Sequence, residues 1–160
     1  METYWKKMTQ CKFELLYLQE YLKLSVQVNR YVSVVTAIFS SASIAAWAAS
    51  GKYAFFWSTL IAISQIVTVV NEFLPYKKLI PELSEMSSKL SVIYMDMEKD
   101  WKILSNKDTS ENEEIEICYN YLLKWSEASD KFFKNDALTD NKKCLKRAHQ
   151  KQELYYNNDF

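Results

Sequence analysis

His149 is the only histidine in 160 residues, which at once limits the chemistry this chain could carry. A Ser-His-Asp triad needs an imidazole between a hydroxyl and a carboxylate, and a histidine-built metal centre needs several. His149 stands instead among Lys146, Arg147 and Lys151, the setting of a surface side chain. The three cysteines, Cys11, Cys118 and Cys144, are odd in number and widely spaced, with no CxxC pair. They point to neither a disulfide framework nor a zinc site, and they suit a reducing compartment. A glycine-rich phosphate loop cannot be assembled from one glycine, Gly51. Glu85, Asp96, Glu98 and Asp100 cluster, but on the charged side of an amphipathic helix. The expectation is a protein that is not an enzyme, with no catalytic residue, no cofactor and no metal.

What remains is polar chemistry inside apolar segments. Ser58, Ala62, Gln65, Thr68 and Glu72 recur at helical spacings on roughly one side of a single helix. Gln65 falls near the middle of an apolar run, where an unpaired amide is costly. Either it bonds to a neighbouring helix and lines nothing, or copies of the stripe face a shared axis and wet it as a pore lining. Ala37, Ser41, Ala45 and Ala49 recur every fourth residue, a ridge of small side chains that lets another backbone approach closely. It serves either a subunit contact or the packing of a hairpin on itself.

The elements that position these residues are two apolar runs. Tyr31 to Gly51 is 21 residues without a charge, and Tyr53 to Asn71 is 19 more. At about 1.5 Å per residue each makes a helix of roughly 30 Å, the hydrocarbon thickness of a bilayer. Between them Ser50, Gly51 and Lys52 supply a tight reversal. A transmembrane helical hairpin over residues 31–75 follows. The soluble alternative asks the remaining segments to wrap both helices, and they are too charged to do so on all sides. The second run has nine strongly inserting residues, including Phe55, Phe56, Ile63 and Ile66. They are worth roughly −3 to −5 kcal/mol before polar costs. The first has only six, opposed by several serines, so it is expected to insert together with the second.

Basic and acidic residues balance at 20 each, which implies no polyanionic partner and no direct nucleic acid binding. Their placement says more. Residues 1–30 carry five basic against three acidic residues, and Lys77 and Lys78 follow the second run, against Lys52 alone in the turn. Such a bias puts both termini in the cytoplasm of a multi-pass membrane protein. No signal peptide is visible, since the apolar run begins only after an amphipathic segment.

Residues 1–30 read as a cytoplasmic helix continuous with the first span, with Trp5, Met8, Lys12, Leu15, Leu18 and Leu22 on one side. An interfacial helix lying on the membrane is the alternative. Residues 76–160 read as a cytoplasmic helical region. A kink or break is expected near Pro75 and Pro81. Beyond it Leu83, Met86, Leu90, Ile93, Met97, Trp101 and Leu104 form a coiled-coil-like stripe, packed on the N-terminal helix, a sister subunit or both. Ser105 to Ser110 is a linker, and Ser110 with Glu113 fits a capping box. The acidic helix that follows has Ile115, Cys118, Tyr119, Leu122, Ser126, Ser129 and Phe133 as its expected inner face, ending near Asn135 and Asp136. Thr139 or Asp140 caps a last, basic helix marked by Leu145, Ala148, Gln152 and Tyr155. Its charges present a solvated face, pair with the acidic helix, or meet anionic headgroups or a nucleotide.

This all-α order of helix, hairpin, long helix and trailing helices resembles the SLATT proteins, two-transmembrane effectors of bacterial nucleotide-signalling defence systems. The resembling residues are Ala45-Ala46-Trp47, Gly51-Lys52-Tyr53, Trp57, Ile63-Ser64-Gln65, Leu74-Pro75-Tyr76, and Tyr94, Glu98 and Trp101. The resemblance implies an inner-membrane effector that forms homo-oligomers and breaches the bilayer when a sensor signals infection. With no fused sensor visible, a separately encoded sensor or nucleotide-signalling protein would supply the trigger. A non-conducting anchor that recruits a partner through its cytoplasmic helices is the alternative, with a holin-like or immunity protein behind it.

Overall fold

The computed structural model describes residues 2–39, 54–73, 76–106, 110–132 and 140–159. Within these stretches, the side chains at 39, 54, 57, 68, 70–73, 76–78, 131, 132, 158 and 159 fall outside the description. The described residues form five helices and no strand, so the chain is all-α. They are α1 (Glu2–Phe39), α2 (Ala54–Phe73), α3 (Tyr76–Ser105), α4 (Glu111–Phe132) and α5 (Lys142–Asp159). The chain divides into two units: Met1–Lys23 with Pro81–Phe160, and Leu24–Ile80.

α1 contains neither glycine nor proline, and it continues without a break past residue 30, as the sequence led us to expect. In the first unit its stripe is Tyr4, Met8, Cys11, Leu15 and Leu18, in steps of four and three, all buried. α3 answers with Leu83, Met86, Leu90, Tyr94 and Met97, buried at three- and four-residue steps, and with Leu104 seven residues on, past the half-buried Trp101. Tyr94 takes the inner place expected of Ile93, which is only half-buried. The start of α1 meets the end of α3: the Tyr4 hydroxyl donates to the Met97 carbonyl at 2.9 Å, and Trp5 packs on Trp101 at 4.8 Å. Each such side chain taken fully out of water contributes about 1.5–3 kcal/mol.

α4 and α5 flank this pair. Along α1, Trp5, Thr9 and Phe13 meet Tyr156, Gln152 and His149 of α5, an antiparallel run. Glu14 instead accepts from the Trp125 indole of α4 at 3.0 Å. At 100° per residue those two faces of α1 lie on opposite sides of its buried stripe. α4 and α5 therefore cover different flanks of the bundle.

Pro81 sits inside α3 rather than breaking it, so the expected break does not reach Pro81; Leu74 and Pro75 lie outside the described residues. The physical reason is its place as the sixth residue. The first four amides of a helix have no acceptor within it, so Pro81 removes a single backbone bond near a helix end. The end of α3 and the cap of α4 are where the sequence put them: α3 ends at Ser105, and the Glu113 amide donates to Ser110 Oγ at 3.4 Å, while 107–109 of the linker lie outside the described residues. For α5 the cap is one residue later than expected. Asn141 Oδ1 accepts from the amides of Lys143 and Cys144 at 3.0 and 3.3 Å.

The inner face of α4 is also turned from its expected position. Glu114, Cys118 and Trp125 are buried, with Tyr121, Leu122 and Ser129 half-buried, whereas Ile115, Tyr119 and Ser126 face outward. Polar tips decide this. The Trp125 indole finds Glu14, and the Tyr121 hydroxyl donates to Asp100 at 2.7 Å. Phe133 and the expected end at Asn135 and Asp136 lie outside the described residues.

Candidate functional site

In the second unit the usual rule of burial is reversed. All fifteen buried apolar side chains among the described residues belong to the first unit. Among the described residues of 24–80 the only two buried side chains are serines: Ser25 is 1% exposed and Ser64 4%. On the same face of α1, Asn29 and Thr36 are half-buried. Their side-chain oxygens are buried with no hydrogen-bond partner among the described residues. The outward side carries the large apolar groups. Tyr31, Val34, Val35 and Ile38 on α1 are exposed, as are Phe55, Phe56, Ile63, Ile66 and Val69 on α2. Phe55 is 87% exposed and Tyr31 74%.

Water is a poor solvent for that surface, because each such side chain left exposed forgoes about 1.5–3 kcal/mol. A contiguous apolar surface of this kind marks a face that meets lipid or another protein. The described backbone of this unit is helical, and the hydroxyls of Ser33, Thr59 and Ser64 donate to carbonyls three or four residues back in their own helices. Hydroxyls satisfied in this way can face an apolar medium at little cost.

Of the polar stripe read from the sequence, Ser58, Ala62 and Gln65 are exposed on α2, and the side chains of Thr68 and Glu72 lie outside the described residues. Those three sit among exposed apolar residues of α2. In the small-residue ridge, Ala37 is exposed, and Ser41, Ala45 and Ala49 lie outside the described residues, as does the turn Ser50, Gly51 and Lys52. Among the described residues no helix is long and apolar enough to cross a membrane. The two complete spans expected from the sequence are thus not present among them. The first run is described only to Phe39, and α2 has consecutive described side chains only from Ser58 to Val67.

The first unit gathers a second group of residues, at the α1–α3–α5 junction. Lys12 Nζ lies 3.4 Å from the Tyr155 ring centroid and 4.4 Å from that of Tyr94, so its charge is held by two aromatic faces. Lys12, read from the sequence only as one of the residues on the apolar side of α1, thus engages its ammonium as well. The Tyr155 hydroxyl donates to Glu98 at 2.6 Å, and Lys102 pairs with the same carboxylate at 2.8 Å. Burial alone would push Glu98 up, but these two hydrogen bonds outweigh it and hold the carboxyl below its ordinary range. Burial raises Tyr94, with the neighbouring Tyr156 hydroxyl adding to it.

Glu20 is the residue that sequence reasoning passed over. It is buried on α1, with Lys151 at 2.5 Å and Arg147 at 3.8 Å. The hydrogen bond from Lys151 holds its carboxyl below the usual value, against the opposing effect of burial. Two of the basic charges of α5 therefore pair with α1, not with the acidic helix α4. The only available signal was the helical spacing of Glu20 from Thr9 and Phe13, the side of α1 that meets α5. Burial pushes the Cys11 thiol up to about 12 and raises Cys118 and Cys144, so all three are poor nucleophiles. Among the described residues no three His, Cys, Asp or Glu side chains are grouped to hold a metal ion. Comparison with protein-family models, curated proteins and solved structures finds no match to this chain.

Proposed function

We propose that this chain is a small effector of the bacterial inner membrane. Residues 31–75 enter the bilayer as a two-helix hairpin with both termini in the cytoplasm. Copies assemble and breach the membrane when a separately encoded sensor or nucleotide-signalling protein triggers them. One observation carries the reading: among the described residues of 24–80 the only buried side chains are Ser25 and Ser64, while large apolar ones such as Tyr31, Phe55, Phe56 and Ile66 are exposed. That arrangement favours a hydrocarbon surrounding over water. The apolar content of residues 53–71 and the resemblance to two-span defence effectors support it further.

Planar-bilayer conductance of the purified protein tests the pore, with membrane potential in induced cells as its partner measurement. Gln65→Leu is expected to weaken depolarisation at unchanged protein level. Equal toxicity from that variant would remove the α2 stripe as a lining. A chain that stays dissolved without detergent would remove the membrane itself.

A second reading, a non-conducting anchor, is favoured by Val92, Met95 and Ile103. These are exposed on the side of α3 opposite its buried stripe, where a recruited partner could dock. Under that reading the purified protein never conducts ions, and partner binding survives Gln65→Leu.

A further inference from the structure

α4 and α5 each carry a second seam, pointing away from the bundle. On α4, Glu116, Tyr119, Leu123, Glu127 and Asp130 are all exposed and follow one another at three- and four-residue steps. On α5, Lys143, Lys146, Gln150, Leu154 and Asn157 do the same. Residues at such steps share one helix face. The two helices have opposite charge: α4 has six acidic against two basic residues, α5 five basic against two acidic. None of these seam charges makes an ion pair among the described residues, since the pairs found involve other side chains.

We propose that a second copy of this chain fills these faces, the outer seam of α4 in one copy docking on that of α5 in the next. Laid antiparallel, the seams match along their length. Asp130 and Glu127 meet Lys143 and Lys146, Leu123 meets Gln150, and Tyr119 meets Leu154. Laid parallel, Tyr119 would face Lys146 and Glu127 would face Leu154. The antiparallel sense is also the one that copies with parallel bundle axes present. α4 runs with α1, as Thr3 and Lys7 lie with Glu114 and Cys118 while Glu14 meets Trp125. α5 runs against α1, so neighbours with one orientation present α5 antiparallel to α4. Because the two seams occupy different flanks of the bundle, the contact is head to tail and propagates into a ring or an open array. This orientation argument rests on the membrane reading above; the seam and its charges do not.

The test uses the full chain in detergent, with assembly followed by mass photometry across concentration. Lys143→Glu with Lys146→Glu, and separately Glu127→Lys with Asp130→Lys, are each expected to raise the concentration for half-assembly at least tenfold. All four together should restore it to within about threefold of the parent, because opposite charges face each other again. Acidic residues early in α5 and basic ones late in α4 suit the helix dipole, so folding is preserved. Thermal melting of each variant checks that. Tyr119→Cys with Leu154→Cys should give an oxidative ladder of cross-linked copies, since the three natural cysteines are buried. Parent-like assembly of both double variants, a well-folded fourfold variant that stays apart, or no ladder each overturns the proposal. Should the charge pattern hold while no conductance appears, the contact stands and the pore falls. Conductance from double variants that assemble like the parent keeps the pore and overturns the contact.

Discussion

Leu90 and Phe55 are both large apolar side chains on helices of one chain, yet the first is 1% exposed and the second 87%. The difference extends to the units they belong to. Around Leu90, α1, α3, α4 and α5 turn their apolar stripes inward and leave charge outside, the pattern water selects. On the helix of Phe55, Ser64 is the one buried side chain among those described, while Phe55, Phe56, Ile63, Ile66 and Val69 are exposed. One sequence thus contains two patterns that call for two solvents. α1 belongs to both: its buried residues are Tyr4, Met8, Leu15 and Leu18 early on, and its exposed ones are Val34, Val35 and Ile38 later.

The largest expected effect breaks the bundle side of that comparison. Leu90→Ala leaves a cavity where α3 packs, and it is expected to cost about 2–5 kcal/mol of stability. Thermal melting in detergent would show this as a clear fall in midpoint. An unchanged midpoint would mean that the first unit is not held by its buried stripe.

Ile66→Lys attacks the other side, and there the two solvents give different numbers. Ile66 is exposed, so in water the change is worth no more than about 0.5 kcal/mol. Within a bilayer a lysine near a helix centre costs about 2.5–3.5 kcal/mol more than an apolar residue. Membrane fractionation of cells expressing the variant decides between them: a sharp loss of membrane-bound protein is expected. Full recovery in the membrane fraction would place α2 in water.

Much of the first unit was legible because its signals are local. The cap at Ser110, the end of α3 at Ser105 and the stripe of α3 depend on near neighbours in sequence. Tertiary partners decided the rest. Tyr4 and Tyr94 are buried although a tyrosine can equally well face water, and Tyr4 can be because its hydroxyl reaches the Met97 carbonyl. Trp125 and Tyr121 turned α4 by about a fifth of a revolution to reach Glu14 and Asp100. Nothing in the periodicity of α4 announces those carboxylates, since they lie on other helices. Glu20 escaped notice for the same reason: its partners are more than a hundred residues away. In the second unit the apolar runs were plain, whereas the covered face of Ser25, Asn29 and Thr36 needed the structure. Those residues lie where an amphipathic helix passes into an apolar one, and no single period describes both.

Glu20→Gln sharpens the comparison by asking how a charge survives inside the bundle. Removing the carboxylate deletes a charged hydrogen bond from Lys151, worth about 1.5–3 kcal/mol. Because Lys151 and Arg147 are themselves about half-exposed, the lower end of that range is expected. The sign with pH follows from the lowered carboxyl. Its stabilisation is complete above the ordinary value of 4.5 and is lost as pH falls through the lower folded value. Acid melts should therefore separate parent from variant near neutrality and bring them together in strong acid. Curves that stay parallel throughout would remove Glu20 as the latch between α1 and α5.

Thr36→Val is expected to have the smallest effect, and its sign tests the inverted face. Placing a polar group in an ordinary core is destabilising, so removing one that is well bonded costs about 1–3 kcal/mol. Thr36 Oγ1 is buried without a hydrogen-bond partner among the described residues. Valine keeps the shape and deletes the oxygen, so stability in detergent should stay level or rise by up to about 1 kcal/mol. The readout is the thermal midpoint of the purified full chain beside that of the parent. A fall worth 1 kcal/mol or more would mean that the hydroxyl is satisfied by water or by a neighbouring copy. The covered side of the second unit would then be a bonded polar contact, and its contrast with the first unit would rest on the outward apolar residues alone.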